Sequence, residues 1–117
     1  MDLYAVRQQR GGPWDWARGL YEQDGFADHR RFMNDLVDAG FIVLGGPVEG
    51  DREVLLVVTA PDETAVRQRL EADPWMSDGK FRLVAVERWT ILLDGLARAA
   101  QAPRQGTLRH FTAIPGP

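Results

Sequence analysis

Apolar residues recur along this chain with two different periods, and each change of period marks a change of element. Leu3-Tyr4-Ala5-Val6 is a short run, rich enough in aromatic and β-branched residues to predict a first strand. Arg10-Gly11-Gly12-Pro13 interrupts it, and Trp14-Asp15-Trp16 follows in a loop. From Asp24 the period lengthens: Phe26, His29, Phe32, Met33, Leu36 and Val37 form the stripe of an amphipathic helix. Asp24 or Asp28 is expected to cap its start, and Gly40 to end it in a left-handed position. Phe41 to Leu44 predicts a second strand, closed by Gly45-Gly46-Pro47. Glu49 to Arg52 predicts a hairpin turn into Val54-Leu55-Leu56-Val57-Val58, a run apolar at every position, as in a strand covered on both faces. Pro61-Asp62-Glu63 opens a second helix with Val66 and Leu70 on its buried side, and Asp73-Pro74 ends it. Phe81 to Leu92 predicts a fourth strand.

The order β-α-β-β-α-β is the ferredoxin-like plan, an α+β fold with a four-stranded antiparallel sheet. Two helices cover one face of such a sheet. Strands apolar on both sides would expose more than the roughly 300–600 Å² that a soluble monomer tolerates. The remedy is a second sheet packed face to face, so the pattern predicts a homodimer. The domain is expected over residues 1–93. Residues 94–117 form a C-terminal extension rich in Gly, Pro, Ala and Arg. There, 97–102 predicts a weak helix and 107–114 a further strand, which either packs on a sheet edge or on the dimer partner or is a flexible end.

Composition narrows the function. The length of 117 residues suits one core. A net charge of −3 with no basic stripe argues against nucleic-acid binding. Zero cysteines exclude a disulfide scaffold and a thiol nucleophile, and fit a cytoplasmic protein. No apolar stretch is long enough for a membrane span, and the first residues do not read as a secretory signal.

Asp28-His29-Arg30-Arg31-Phe32-Met33, Gly40 with Gly45-Gly46-Pro47, Asp73-Pro74-Trp75 and Val86-Glu87-Arg88-Trp89 occur in that order. Together they resemble the YCII-related (YciI-like) family of dimeric α+β barrels, over about Leu3 to Leu93. The resemblance implies a ferredoxin-like protomer, a dimer, and an active site built on a histidine and an aspartate, which fall here on His29 and Asp73. One branch of the family resembles dehydrochlorinases acting on chlorinated hydroquinones, where proton removal accompanies loss of chloride. Arg10 to Trp16 and the tail depart from the compact family pattern, so no substrate is implied.

Position alone reads His29 as an inert histidine at the edge of the core. The resemblance implies a general base, a role suited to the side chain whose charge changes nearest neutral pH. Asp73 has a structural explanation as a helix-to-turn junction. Its implied role is to accept a hydrogen bond from one ring nitrogen of His29, fixing the tautomer and stabilising the imidazolium. A serine triad is disfavoured, since Ser77 is the only serine and has no Gly-x-Ser-x-Gly context. Tyr4, Trp14, Trp16, Trp75 and Met76 either line an apolar pocket for a flat aromatic or cyclic substrate or belong to the core or dimer interface. Arg7, Arg10 and Arg18 either grip a carboxylate or phenolate or are solvated. His29 and His110 are the only histidines and have no short-spaced ligand set, so no metal is expected. No nucleotide-binding loop is present, so no cofactor is expected.

The resulting expectation is a cofactor-free homodimer that binds a small organic ligand and uses His29 and Asp73 for proton abstraction leading to elimination or isomerisation. The competing expectation is a non-catalytic binding or interaction domain, accessory to a metabolic pathway. An enzyme needs the two side chains in hydrogen-bond reach and facing a cavity.

Overall fold

Strand β1 (Asp2–Arg10) runs through the middle of a four-stranded sheet in the computed structural model, which describes residues 1–96. After it come α1 (Phe26–Asp38), β2 (Ile42–Pro47), β3 (Glu53–Ala60), α2 (Glu63–Glu71), a short α3 (Pro74–Ser77) and β4 (Phe81–Arg88). A single 3-10 turn, Leu20–Glu22, lies in the long β1–α1 connection. The strand order is β2-β3-β1-β4 with every neighbouring pair antiparallel. This is the ferredoxin-like α+β plan that the hydrophobic pattern predicts. The helix expected at 97–102 and the strand expected at 107–114 lie outside the described residues.

Local chemistry explains most boundaries, including those the pattern misplaces. Helix α1 starts after Gly25, held at φ 80°, and neither Asp24 nor Asp28 supplies a side-chain cap. Gly40, at φ 78°, ends it as expected. In α2 the Asp62 carboxylate accepts a hydrogen bond from the Ala65 N–H at 2.8 Å. Asp73-Pro74 does more than stop α2. Asp73 is the N-cap of α3 and Pro74 its first residue, the two positions these residue types favour.

Strand β1 continues four residues past Val6, with Gln8 and Arg10 buried on the helix side and Arg7 and Gln9 on the other. Polar residues hide that alternation from a hydrophobicity count. Gly45-Gly46-Pro47 belongs to β2 rather than closing it. A Cβ at Gly45 would press on Leu56 Cδ2, and Pro47 ends an edge strand, where a missing N–H is tolerated. Strand β4 stops at Arg88, and Trp89, Leu92 and Leu93 beyond it are exposed.

The core lies between the sheet and the helices. Tyr4, Val6, Val54, Leu56, Val58, Ala60, Phe81 and Val86 meet Phe26, Met33, Leu36, Val66, Leu70 and Trp75. Strand β3 alternates buried and half-buried positions, so a single protomer covers one face of it. The other face carries Leu3, Ala5, Leu55, Val57 and Ala85 half-buried, with Leu44 and Trp89 exposed. Register shifts leave Val43 and Val84 unpaired, and both are about half exposed at 49% and 48%.

Candidate active site

His29 lies in the first turn of α1, where its backbone N–H donates to the Gly25 carbonyl at 3.1 Å. Asp73 caps α3, and its Oδ1 accepts the Trp75 backbone N–H at 3.0 Å. The two elements meet beneath the sheet, 44 residues apart in sequence, and His29 Nδ1 stands 2.9 Å from Asp73 Oδ1. Nδ1 is also 2.9 Å from Oδ2. The hydrogen bond is directed at Oδ1, while Oδ2 is buried without a directed donor. An ionised carboxylate only accepts, so a hydrogen bond to it from this ring has Nδ1–H as its donor.

Trp75 builds the wall of the pair. Its indole is fully buried and stacks on the His29 ring at 3.9 Å with 9° between the planes. Its Nε1–H donates to the Asp24 carbonyl at 2.9 Å, tying α3 to the entrance of α1. Phe81 meets the imidazole edge-on at 5.5 Å. The dyad is therefore held on three sides, by a cap, a stacked ring and an aromatic edge. Both side chains are almost fully covered in the protomer, with His29 at 2% and Asp73 at 1% exposure.

The aromatic candidates divide into two groups. Trp14 and Trp75 meet edge to face at 5.5 Å, and Trp14 stacks on Phe81 at 5.9 Å. Tyr4 is buried on the helix side of β1, and Met76 Sδ receives Gln8 Nε2 at 3.8 Å. These four residues pack as core. Trp16 is 56% exposed and meets the group at Trp14, with 6.4 Å between ring centres. A cavity of about 280 Å³ is lined by Gln9, Arg10, Trp16, Arg52 and Arg82, and neither His29 nor Asp73 borders it.

Of the arginines singled out above, Arg7 pairs with Glu53 at 3.6 Å, and Arg18 with Asp24 at 3.3 Å and Asp15 at 3.5 Å. Arg10 bonds Asp51 at 2.6 Å with its guanidinium buried. Phe81 and Gln8 escape a reading of the sequence. Phe81 looks like any apolar strand start, and Gln8 is a polar residue on a core-facing position of β1. Among the described residues no group of three His, Cys, Asp or Glu could hold a metal ion, and no helix is long and apolar enough to cross a membrane.

Comparison with solved structures finds 5-chloro-2-hydroxyhydroquinone dehydrochlorinase (TftG) from Burkholderia phenoliruptrix AC1100, in complex with 2,5-dihydroxybenzoquinone. The alignment has a TM-score of 0.56 and 23% identity, and covers 74% of this chain and 93% of that one. At that identity the likeness establishes a shared fold. No curated protein matches the chain. The family model for the YCII-related domain matches residues 18–90, a span that takes in α1 with His29, the α3 cap at Asp73 and all of β4, and the chain therefore belongs to the YCII-related domain family.

Proposed function

We propose that the protein is a small-molecule enzyme that removes a proton from a cyclic or aromatic substrate, leading to elimination or isomerisation. The observation that carries this reading is the His29 Nδ1–Asp73 contact of 2.9 Å inside an aromatic enclosure. With Nδ1 committed to the carboxylate, Nε2 takes the proton as general base, and Asp73 stabilises the imidazolium that forms. In an elimination the electron pair of the broken bond to hydrogen becomes a new π bond, and the leaving group departs with its own pair. The imidazolium then returns its proton to water. In an isomerisation it returns the proton to another atom of the substrate. The chain itself supplies base and counter-charge, so this step asks for no cofactor.

The solved neighbour's activity and its bound dihydroxybenzoquinone support a small oxygenated ring as the substrate class. At 2% exposure the His29 ring meets a substrate only when the side chains around it part. The same reading includes a homodimer joined across the apolar sheet face of Leu55, Val57, Ala5 and Ala85. The absence of cysteine supports a reducing, cytoplasmic setting.

One observation favours a second reading, a non-catalytic binding or interaction domain. Asp73 already has a structural task as the cap of α3, and His29 is packed like a core residue. Chloride release from chlorinated hydroquinones, followed with the purified protein, separates the two. His29→Ala is expected to abolish turnover, and Asp73→Asn to leave a small residual rate because the ring remains but is held in the opposite tautomer. Equal rates in wild type and both variants select the second reading.

A further inference from the structure

We infer that Arg10, Arg52, Arg82, Gln9 and Trp16 form a second binding site, for a single-ring aromatic carboxylate. It lies at the end of the sheet where β1 finishes and where β3 and β4 begin. None of its lining groups belongs to the His29–Asp73 pair, so it stands whether or not that pair is catalytic.

The site is built from the sequence upward. The β2–β3 turn passes through Gly50 at φ 89° and Asp51 at φ 55°. Arg10 fixes that turn from below: its Nε–H donates to the Asp51 carbonyl at 3.1 Å and Nη2 to the Asp51 carboxylate at 2.6 Å. Arg10 N–H also donates to the Arg52 carbonyl at 3.1 Å, which sets Arg52 beside the cavity. Arg82 is placed by the β1–β4 register opposite Gln9, whose Oε1 accepts from Nη2 at 2.6 Å. Trp16 comes from the β1–α1 connection, with the Arg52 guanidinium 5.8 Å from its ring centre.

Charge and burial point to an anionic ligand. Three arginines line the cavity, and Asp51 is the carboxylate that reaches one of them. The neighbouring Glu53 is engaged by Arg7 and by Gln9 Nε2 at 3.2 Å. Among the described residues neither Arg52 nor Arg82 has a carboxylate partner. Arg10, 1% exposed in its side chain, keeps Nη1 buried without a hydrogen-bond partner, while its guanidinium lies 3.8 Å over Trp14. A buried N–H without an acceptor is costly, and guanidinium forks match a carboxylate in two parallel bonds. The exposed Trp16 face supplies a platform for a ring. A cavity of about 280 Å³ falls just below the range of drug-sized pockets, which limits the ligand to one ring.

Calorimetric titration of the full chain at low salt with sodium benzoate tests the site. The expected result is binding at about 1 mM or tighter. Weakening by about tenfold or more is expected in the Arg52→Gln/Arg82→Gln double variant, and by about fivefold in Trp16→Ala. All three residues are exposed, so the fold is retained. Cyclohexanecarboxylate, which has no π face, should bind more weakly than benzoate, and benzyl alcohol, which has no charge, should not bind. Inorganic phosphate binding as tightly as benzoate would overturn the aromatic part of the assignment. No heat from benzoate up to about 20 mM, far above the affinity expected of the site, would overturn the site itself, as would affinity unchanged in the double variant.

Discussion

Replacing Asp73 separates its two tasks, because alanine removes both and asparagine removes one. In Asp73→Ala the Trp75 N–H loses its cap, a change worth about 1 kcal/mol. The His29 Nδ1–H loses a hydrogen bond to a charged acceptor and is left buried, which costs about 1.5–3 kcal/mol more. The sum, about 2.5–4 kcal/mol, is a large share of the roughly 5–15 kcal/mol that holds a domain folded. In Asp73→Asn the new amide keeps an oxygen for the Trp75 N–H but turns an N–H₂ toward the ring. The imidazole must then carry its proton on Nε2, at an expected stability cost of about 1 kcal/mol. Urea unfolding midpoints measure both costs, and a double-mutant cycle with His29→Ala should return a coupling of about 2 kcal/mol. The chain has only two histidines, so ¹⁵N spectra of the imidazoles read the tautomer directly once His110→Ala assigns the signals. A cost below about 1 kcal/mol for Asp73→Ala with negligible coupling, or an unchanged His29 tautomer in Asp73→Asn, would refute the reasoning.

Three further outcomes follow from the packing. Leu55→Glu places a charge in the middle of the open apolar face and should weaken self-association at least about thirtyfold by sedimentation; a wild-type monomer at micromolar concentration would remove the dimer altogether. Gly11→Ala should cost about 2 kcal/mol in urea unfolding, since a Cβ there collides with the Gly79 carbonyl oxygen, whereas Gly12→Ala, with open space around it, should stay within about 0.5 kcal/mol of wild type. Trp75→Phe removes the indole donor to the Asp24 carbonyl and leaves a void, and should cost about 2–4 kcal/mol while speeding hydrogen exchange at the start of α1.

The sheet is legible in the sequence because composition and punctuation agree along most of it: Gly40, Pro61 and the apolar run of β3 all act locally. Legibility fails where tertiary partners outweigh local preference. Gln8 and Arg10 face the helices, where an apolar residue is the usual choice, and Met76 and Asp51 give each of them a hydrogen-bond partner there. Asp24 is no cap, since the chain enters α1 through a left-handed Gly25 and the Asp24 carbonyl is held by Trp75. The dyad is visible only through family resemblance, as no spacing rule joins residues 44 positions apart. Asp-Pro reads as a stop, yet the same dipeptide also starts α3 and so aims the carboxylate. The cationic cavity has no linear signature at all. Its arginines stand at positions 10, 52 and 82 and are assembled only by strand register.

The buried Arg10 has a consequence for how the surface breathes. Its planar head stacks on Trp14 in the β1–α1 connection and bonds Asp51 in the β2–β3 turn, so one side chain spans two segments that are remote in sequence. Neither segment can lift away without stripping the guanidinium of its ring or of its acceptors. The loop and the turn should therefore open as one cooperative unit, with matched free energies of exchange at amides such as those of Trp14 and Asp51. A surface that looks like two independent loops behaves, dynamically, as one.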